Sequence, residues 1–321
     1  MSTSRLESRL ERRIIVDTDL EELNKIFSSA FTDRYRRDGM VGVRVPQLNP
    51  DIWRYAIRDA GDGALLWHDD RGKIVAFNLV HRSGVEGWMG PLAVRPDRQG
   101  EGIGKAIVEQ AVDWLRLAGA DVIGLETMPR TVDNIGFYGR LGFSPGYLTI
   151  SMGKVAEETR VDYQLVGNLD PVERDEMFQR CMTALVEFAP GFDFTRELEL
   201  TEHLAIGDTI VVMEGDRVRA WCLCHSAALA IAATPDELRL LKVFANSIES
   251  FTGLMLAAED HAARLGLDAV SVRCQSEQNR AFRLLIDMGY RVKWTDLRMM
   301  KEGNAEAVVD RRGVVMSNWE I

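Results

Sequence analysis

Apolar and polar positions recur with two different periods along the first half of the chain. Short apolar runs such as RRIIV, KIVAFNLVH and VIGLET are typical of strands, whereas LEELNKIFSSAF and KAIVEQAVDWLRLAG repeat apolar residues at helical spacing. We expect Asp19 to cap the first of these helices. The order predicts a hairpin around the turn DDRG and then a strand, helix, strand crossover, which is a mixed α/β plan.

The same order of elements returns after a polar stretch at residues 153–162, GKVAEETRVD. Segments correspond in register between the halves, for example WLRLAGADVIGLET with HAARLGLDAVSVRC. We therefore predict two tandem α/β domains, residues 1–157 and 158–321, each with a mixed, mostly antiparallel sheet flanked by helices. The apolar tail GVVMSNWEI predicts one more strand, in either domain.

Length and composition support two soluble domains. A chain of 321 residues exceeds the roughly 250 to 300 at which single cores stop growing. The start of the chain is polar and lacks a signal sequence, and no apolar run approaches the roughly 18 residues that span a bilayer. We expect a cytoplasmic protein with no membrane partner.

Charge and cysteine content narrow the partners further. A net charge of −10 argues against binding the phosphate backbone of nucleic acids and favours a cationic or neutral acceptor. The closely spaced Cys222 and Cys224 have no second pair or clustered histidines nearby. We interpret them as buried strand residues and expect no metal.

A glycine-rich loop separates the predicted strand GWMGPLAV from the helix that follows it. Gly100, Gly102 and Gly104 alternate directly before the helix. The first amides of a helix attract anions, and glycines let a phosphate approach the backbone. The loop is not a Walker motif, because Gln99 replaces its first glycine and Ala106 its Ser or Thr, and a dinucleotide fingerprint would need glycine directly after Gly104.

The order Gln-x-x-Gly-x-Gly at residues 99–104, preceded by LAVRP, resembles the GNAT superfamily of N-acetyltransferases, and the resemblance covers most of residues 12–153. It implies that the loop amides bind the pyrophosphate of acetyl-CoA, the cosubstrate, and that the preceding strand offers backbone groups to pantetheine. The residues so implied are Leu92, Ala93, Val94, Arg98, Gln99, Gly100, Gly102, Ile103, Gly104 and Lys105. Arg98 and Lys105 are either phosphate ligands or solvated surface cations.

The segment FYGRLGF at residues 137–143 resembles the tyrosine segment of the same family. When an amine attacks a thioester, the tetrahedral intermediate expels a thiolate, which a phenol can protonate. Tyr138 is therefore our candidate general acid, and a tyrosine that only fills the core is the alternative. Relatives usually carry an asparagine where this chain has Thr131, so Asn134 is the nearest candidate for a pantetheine contact.

The acceptor amine must lose a proton before it attacks, because its pKa is near 10. Glu86 opens the strand that leads to the loop, with a spacing that resembles that of the catalytic glutamate in protein-lysine-acetylating relatives. It is our first candidate for the base. Glu126 at the end of the next strand, His81 and a chain of water molecules are the alternatives.

The second copy lacks these features. Its corresponding loop, LLKVFANSIESFTG, has no closely spaced glycines, and Leu285 stands at the position of the tyrosine. We predict a degenerate GNAT-like domain that serves as a substrate wall, a scaffold or a dimer surface, and both monomer and homodimer remain open.

Together these features predict an N-acyltransferase. It would move an acetyl or similar short acyl group from acyl-CoA to a primary amine by direct attack, because the first half has no cysteine to form an acyl-enzyme. The acceptor is either a small molecule or a protein amine. A non-catalytic acyl-CoA-binding regulator is the alternative.

Overall fold

The computed structural model describes residues 10–304 and 309–320. Within these residues thirteen strands form one continuous sheet, with eight α-helices on its faces. The strands are β1 (Glu11–Ile14), β2 (Leu65–His68), β3 (Ile74–Ser83), β4 (Glu86–Val94), β5 (Val122–Thr127), β6 (Phe143–Val155), β7 (Gln164–Leu165), β8 (Gly207–Glu214), β9 (Arg217–His225), β10 (Glu237–Ala245), β11 (Ala269–Gln275), β12 (Arg291–Lys301) and β13 (Val314–Ser317). The helices are α1 (Leu20–Arg37), α2 (Pro50–Ala60), α3 (Ile103–Leu117), α4 (Val132–Arg140), α5 (Pro171–Val186), α6 (Thr195–Leu204), α7 (Ile248–Arg264) and α8 (Asn279–Asp287).

The sheet joins the two halves by exchanging their last strands. The order is β1-β2-β3-β4-β5-β12-β6-β11-β10-β9-β8-β7, so β12 of the second half lies between β5 and β6. β6 in turn pairs with β11 over residues 149–155. Only β4 with β5 and β10 with β11 pair in parallel, and all other strand pairs are antiparallel. This confirms the predicted fold class, a mixed, mostly antiparallel sheet with two GNAT-like halves.

The helices of the first half bury apolar side chains on both faces of the sheet. On one face, α1 and α2 contribute Leu23 and Trp53, which cluster with Phe77 of β3. On the other face, α3 contributes Leu115, which clusters with Ile123 of β5. These side chains are fully buried, and each stabilises the fold by about 1.5 to 3 kcal/mol relative to an exposed one. The site described below lies between these two layers.

Two local features depart from the sequence-based expectations. Asp19 is at the N-cap position of α1, but its side chain makes no capping hydrogen bond. Its carboxylate instead accepts two bonds of 2.6 Å from Arg13. The patterns above did not predict α2 and α6, which meet where the halves touch, with Asp59 of α2 2.9 Å from Arg196 of α6. The tail strand β13 pairs within the second half, with β10.

Candidate active site

The parallel strands β4 and β5 separate partway along their length. They pair only from Glu86 to Met89, opposite Val122 to Leu125. Farther along β4, residues 92–94 pair with β3 on the other side, after a register shift between Asn78 and Val80. Within the described residues no strand pairs with residues 92–94 on the side of β5. The missing strand leaves room for the backbone there to bind an extended ligand, as the pantetheine prediction requires.

The loop after β4 turns sharply into α3. Gly100 and Gly102 have φ angles of +85° and +86°, in the left-handed region, where a residue with a Cβ costs about 1 to 2 kcal/mol. Gly102 is also the N-cap of α3 and has no side chain to cap it. The first helical bond runs from Ala106 N to Gly102 O. The amides at the start of α3 therefore have no intrahelical acceptor and point toward the loop.

Two polar side chains of the loop already have partners in the protein. Gln99 Nε2 donates to the carbonyl oxygen of Val94 at 3.1 Å. Arg98 donates two hydrogen bonds to Glu101, at 2.8 and 2.9 Å. The side chain of Gln99 thus ties the loop to β4, and Arg98 would have to exchange Glu101 for a phosphate in order to bind one.

One groove of about 420 Å³ brings the predicted CoA-binding residues together. At least four other depressions on the described surface hold between 400 and 530 Å³, so the lining and not the volume distinguishes this one. Tyr138 and all eleven predicted CoA-binding residues line it, together with Phe137 and three residues of α1. Those three are Ala30, Phe31 and Arg34, which the sequence analysis did not identify.

Tyr138 lies on α4 at the wall of this groove. Its ring packs against Phe137 and Phe143, with centroids 5.0 and 6.1 Å apart. Burial raises the pKa of Tyr138 to about 12. The phenol therefore stays protonated at neutral pH, which is the state that a general acid needs.

Asn134 and Thr131 occupy different environments at the start of the same helix. Asn134 lines the groove and its Nδ2 donates to Thr127 Oγ1 at 3.3 Å. Thr131 is fully buried and its hydroxyl donates to Asp38 at 2.7 Å. Of the two, only Asn134 is placed to contact a ligand in the groove.

Glu86 does not line the groove. Together with Trp88 it lies on the face of β4 opposite α3, since the intervening Gly87 faces Leu115 of α3. Glu86 is 5% exposed; its Oε1 accepts from Trp88 Nε1 at 3.4 Å, and its Oε2 has no hydrogen-bond partner among the described residues. It stands three residues before Met89, where the pairing with β5 ends, or about 10 Å along the strand. A proton would need water molecules to cover that distance.

The two alternative bases are held by strong partners. His81 Nδ1 lies 2.6 Å from Asp59, and its Nε2 lies 3.2 Å from the carbonyl oxygen of Gly90, so both ring nitrogens face acceptors. Glu126 is the first residue of β5 beyond the pairing with β4 and contacts Arg273 and Arg298. Although burial acts to raise it, the pKa of Glu126 is lowered by these two arginines. Neither side chain offers a free basic atom.

The second half contains the same separation of parallel strands, with different contents. β10 and β11 pair only from Glu237 to Leu240, opposite Ala269 to Val272. Beyond this point β13 pairs with residues 242–245 and fills the gap. Only Asn246 and Ser247 connect β10 to α7, whereas residues 95–102 connect β4 to α3. The glycine loop is thus missing as a whole from the second half.

Cys222 and Cys224 are fully buried in β9. The described residues contain no group of three or more His, Cys, Asp or Glu side chains arranged to hold a metal ion. No helix within the described ranges combines the length and apolar character needed to cross a membrane.

Comparisons with known proteins agree with this arrangement. The family model "Acetyltransferase (GNAT) family" matches residues 20–143. Among curated protein sequences, none matches the chain. The similar solved structures include a protein from Pyrococcus horikoshii described as an acetyltransferase, at 16% identity, with 97% of this chain and 95% of that chain covered and a TM-score of 0.69.

Two further structures share the tandem architecture over nearly the whole chain. A tandem GNAT protein from the clavulanic acid biosynthesis pathway has 11% identity, covers 92% of this chain and 99% of its own, and has a TM-score of 0.61. N-myristoyltransferase from Saccharomyces cerevisiae, solved with myristoyl-CoA, has 12% identity, covers 95% and 88%, and has a TM-score of 0.62. At such identities the likeness shows the fold. The family match identifies a GNAT acetyltransferase domain over residues 20–143, within a chain whose whole fold is similar to that of a tandem GNAT protein.

Proposed function

We propose that the chain transfers an acetyl or similar short acyl group from acyl-CoA to a primary amine by direct attack. One observation carries this proposal: the free edge of β4, the glycine loop at the start of α3 and the phenol of Tyr138 line the same groove. Each matches one part of the cosubstrate, namely pantetheine, pyrophosphate and the leaving thiolate. General acyl transfer from acyl-CoA is the activity of the family, and the amine acceptor is our extension of it.

The chemistry needs three proton transfers: the arriving ammonium group loses one proton before attack, the nitrogen loses a second as the amide forms, and the leaving sulfur gains one. The neutral amine attacks the thioester carbon, a C–N bond forms, and the tetrahedral intermediate then breaks its C–S bond. The sulfur leaves as a thiolate and takes the proton of Tyr138, which recovers one from solvent. This assignment is supported by the position of Tyr138 in the groove and by its raised pKa of about 12.

The two protons that the acceptor nitrogen loses need an acceptor other than Tyr138. Of the three candidate bases, Glu86 is the one with a buried carboxylate oxygen that no described residue occupies. Its distance from the end of the β4 and β5 pairing favours transfer through water rather than direct contact. We therefore assign Glu86 the role of final proton acceptor.

We also propose that residues 1–157 and residues 158–321 have different roles. The first would bind the cosubstrate, and the second would serve as a degenerate partner without a CoA site. The two-residue connection after β10 and the strand in the second gap support this role. The exchange of β6 and β12 makes each part the structural support of the other.

The direct test is release of free CoA thiol from acetyl-CoA with a panel of primary amines. The panel should contain alkylamines, amino alcohols, amino sugars, polyamines, and peptides with a free N-terminus or lysine, with product mass confirming acetylation. Gly102→Glu, in which the phosphate site is blocked, is the matched background. Acetyl-CoA binding without consumption by any amine would instead indicate the non-catalytic regulator.

A further inference from the structure

The carboxyl-terminal segment of the chain continues beyond β13 into the contact between the halves. β13 lies antiparallel to β10, with Val314 opposite Ala245 and Ser317 opposite Lys242. All four of its residues are buried. The segment therefore runs through the gap from the side of α7 toward the point where β10 and β11 come together.

Asn318 ties the segment down where the two strands meet. Its backbone N–H donates to the carbonyl oxygen of Leu241 on β10 at 3.0 Å. Its Nδ2 donates to the carbonyl oxygen of Arg273 on β11 at 2.9 Å, and its Oδ1 accepts from Gln275 at 2.7 Å. These bonds fix the direction in which the next residue leaves the gap.

That next residue, Trp319, reaches the first half. Its ring lies 5.4 Å from the ring of Trp88 and 6.3 Å from that of His81. Trp88 is one residue before Met89, where the pairing of β4 and β5 ends, and His81 contacts the carbonyl oxygen of Gly90 just beyond it. Trp319 therefore stands beside the end of the β4 and β5 pairing, on the face of β4 opposite α3.

The residues described around Trp319 contact its ring and its carbonyl oxygen, but none accepts a hydrogen bond from its indole N–H. Lys242 Nζ lies 3.7 Å from the centre of the indole, and Trp88 packs on it as well. The backbone carbonyl oxygen accepts from Arg273 at 3.2 Å. The indole N–H is buried without a hydrogen-bond partner among the described residues. A buried donor in this condition destabilises the protein unless a ligand or water accepts its hydrogen bond.

We propose that Trp319 is a specificity-determining residue of the acceptor pocket, where its indole N–H donates to an oxygen atom of the amine substrate. This rests on the proposed function and adds a substrate class to it: amines that carry an oxygen acceptor, such as amino alcohols or amino sugars, rather than plain alkylamines. The second half thus contributes to the site through its tail, which fills its own gap and presents Trp319 to the other.

The test compares Trp319→Phe with wild type on matched pairs of alkylamines and amino alcohols of equal length. The substitution keeps an aromatic ring and removes the N–H, so kcat/KM for the amino alcohol should fall about five- to tenfold. The KM for acetyl-CoA and the kcat/KM for the alkylamine should stay within about twofold. Trp114→Phe, on α3 and away from the groove lining, is the matched control and should change neither.

A binding arm separates this proposal from the proposed function. The same amine pairs are titrated calorimetrically into the protein saturated with CoA. Wild type could bind the amino alcohols without acetylating any, with Trp319→Phe weakening that binding. This result would support the role of Trp319 and contradict the proposed acyl transfer to amines. Three outcomes would overturn the role of Trp319. Trp319→Phe could lower activity or binding equally for the alkylamine and the amino alcohol, or could behave like Trp114→Phe. Wild type could also show no preference for the amino alcohol in either the kinetic or the binding measurement.

Discussion

The parallel strands β4 and β5 separate in the same way as β10 and β11, but the two gaps that result have different contents. In both halves four residue pairs hold the parallel strands together before they separate. In the first half the free edge of residues 92–94 then borders a groove, whereas in the second half β13 pairs with the corresponding edge. Backbone N–H and C=O groups inside a protein need partners. The chain supplies them in one gap, and the other is available to a ligand.

The connection from β4 to α3 also differs from the connection from β10 to α7, and only the second ends in a residue whose side chain caps the helix. Residues 95–102 form an open loop with two glycines in the left-handed region. In the second half, Ser247 caps α7 directly, with its hydroxyl accepting from Ser250 N at 3.2 Å. A helix start that is capped by a side chain has fewer free amides for a phosphate. The second half thus combines a filled gap with a satisfied helix start, and both features support our proposal that it has no CoA site.

The most drastic way to break this comparison is Gly102→Glu. The new carboxylate would lie at the helix start where the pyrophosphate is expected, so acetyl-CoA affinity should fall more than about a hundredfold by calorimetry, through charge repulsion and lost amide contacts. The substitution also places a Cβ at a φ of +86°. Some loss of stability is therefore expected in addition.

Gly266→Glu separates the two effects of that substitution. Gly266 follows α7 with a φ of +72° and has open space around it, far from the groove lining. This control should lose a similar amount of stability, about 1 to 2 kcal/mol, and keep its affinity for acetyl-CoA. Unchanged affinity in folded Gly102→Glu would show that the loop is not the phosphate site.

The number of acetyl-CoA molecules bound per chain tests whether the second half has a CoA site of its own. We expect one acetyl-CoA per chain, because β13 fills the second gap and only Asn246 and Ser247 follow it. Calorimetric titration of wild type gives this number directly. Two equivalent sites per chain would contradict the assignment of the second half as a partner without a CoA site.

Tyr138→Phe tests whether the phenol in the groove of the first half takes part in the chemistry. If the phenol protonates the leaving thiolate, its loss removes an interaction made only in the transition state. We expect kcat to fall at least about tenfold, which is less than the hundred- to ten-thousandfold that general acids commonly provide because water substitutes in part. The Kd for acetyl-CoA should change less than about threefold, since the ring remains.

The control for this variant is a tyrosine of the second half. Tyr290 is buried in the core that β10, β11 and α7 share, and Tyr290→Phe should leave kcat unchanged whatever it does to stability. Melting temperature, Kd and kcat should be measured on the same preparations. A kcat near that of wild type in Tyr138→Phe would remove this residue from the mechanism and leave it a wall of the groove.

Local patterns predicted several elements around the candidate site. VIGLET corresponds to β5 (Val122–Thr127) without a shift at either end, because it is an apolar run bounded by turns. The loop and the tyrosine segment were recognisable because each lies within a few consecutive residues. α2 was missed although its signal is present, with Asn49 as its cap and Pro50 at its first position.

Other features depend on contacts that no local pattern contains. The alternation of a strand shows which face is buried, but it does not name the neighbouring strand, so the exchange of β6 and β12 was not predictable. Phe31 and Arg34 reach the groove from α1, and Trp319 reaches Trp88 from the other end of the chain. Such residues become visible only once the sheet is assembled.

The smallest expected effect comes from Asn318→Ala, which loosens the strand in the second gap and removes no residue from the groove lining. It removes the bond to the carbonyl oxygen of Arg273 and leaves the buried amide of Gln275 without its acceptor, a loss of about 2 kcal/mol of unfolding free energy. The melting temperature should fall by a few degrees, while the Kd for acetyl-CoA stays within about twofold. Asn304→Ala, which loses one exposed bond to Asp121, should change stability by less than about 0.5 kcal/mol. If acetyl-CoA affinity instead fell together with stability in Asn318→Ala, the two gaps would have to be treated as one coupled unit, with β13 supporting the first gap as well as filling the second.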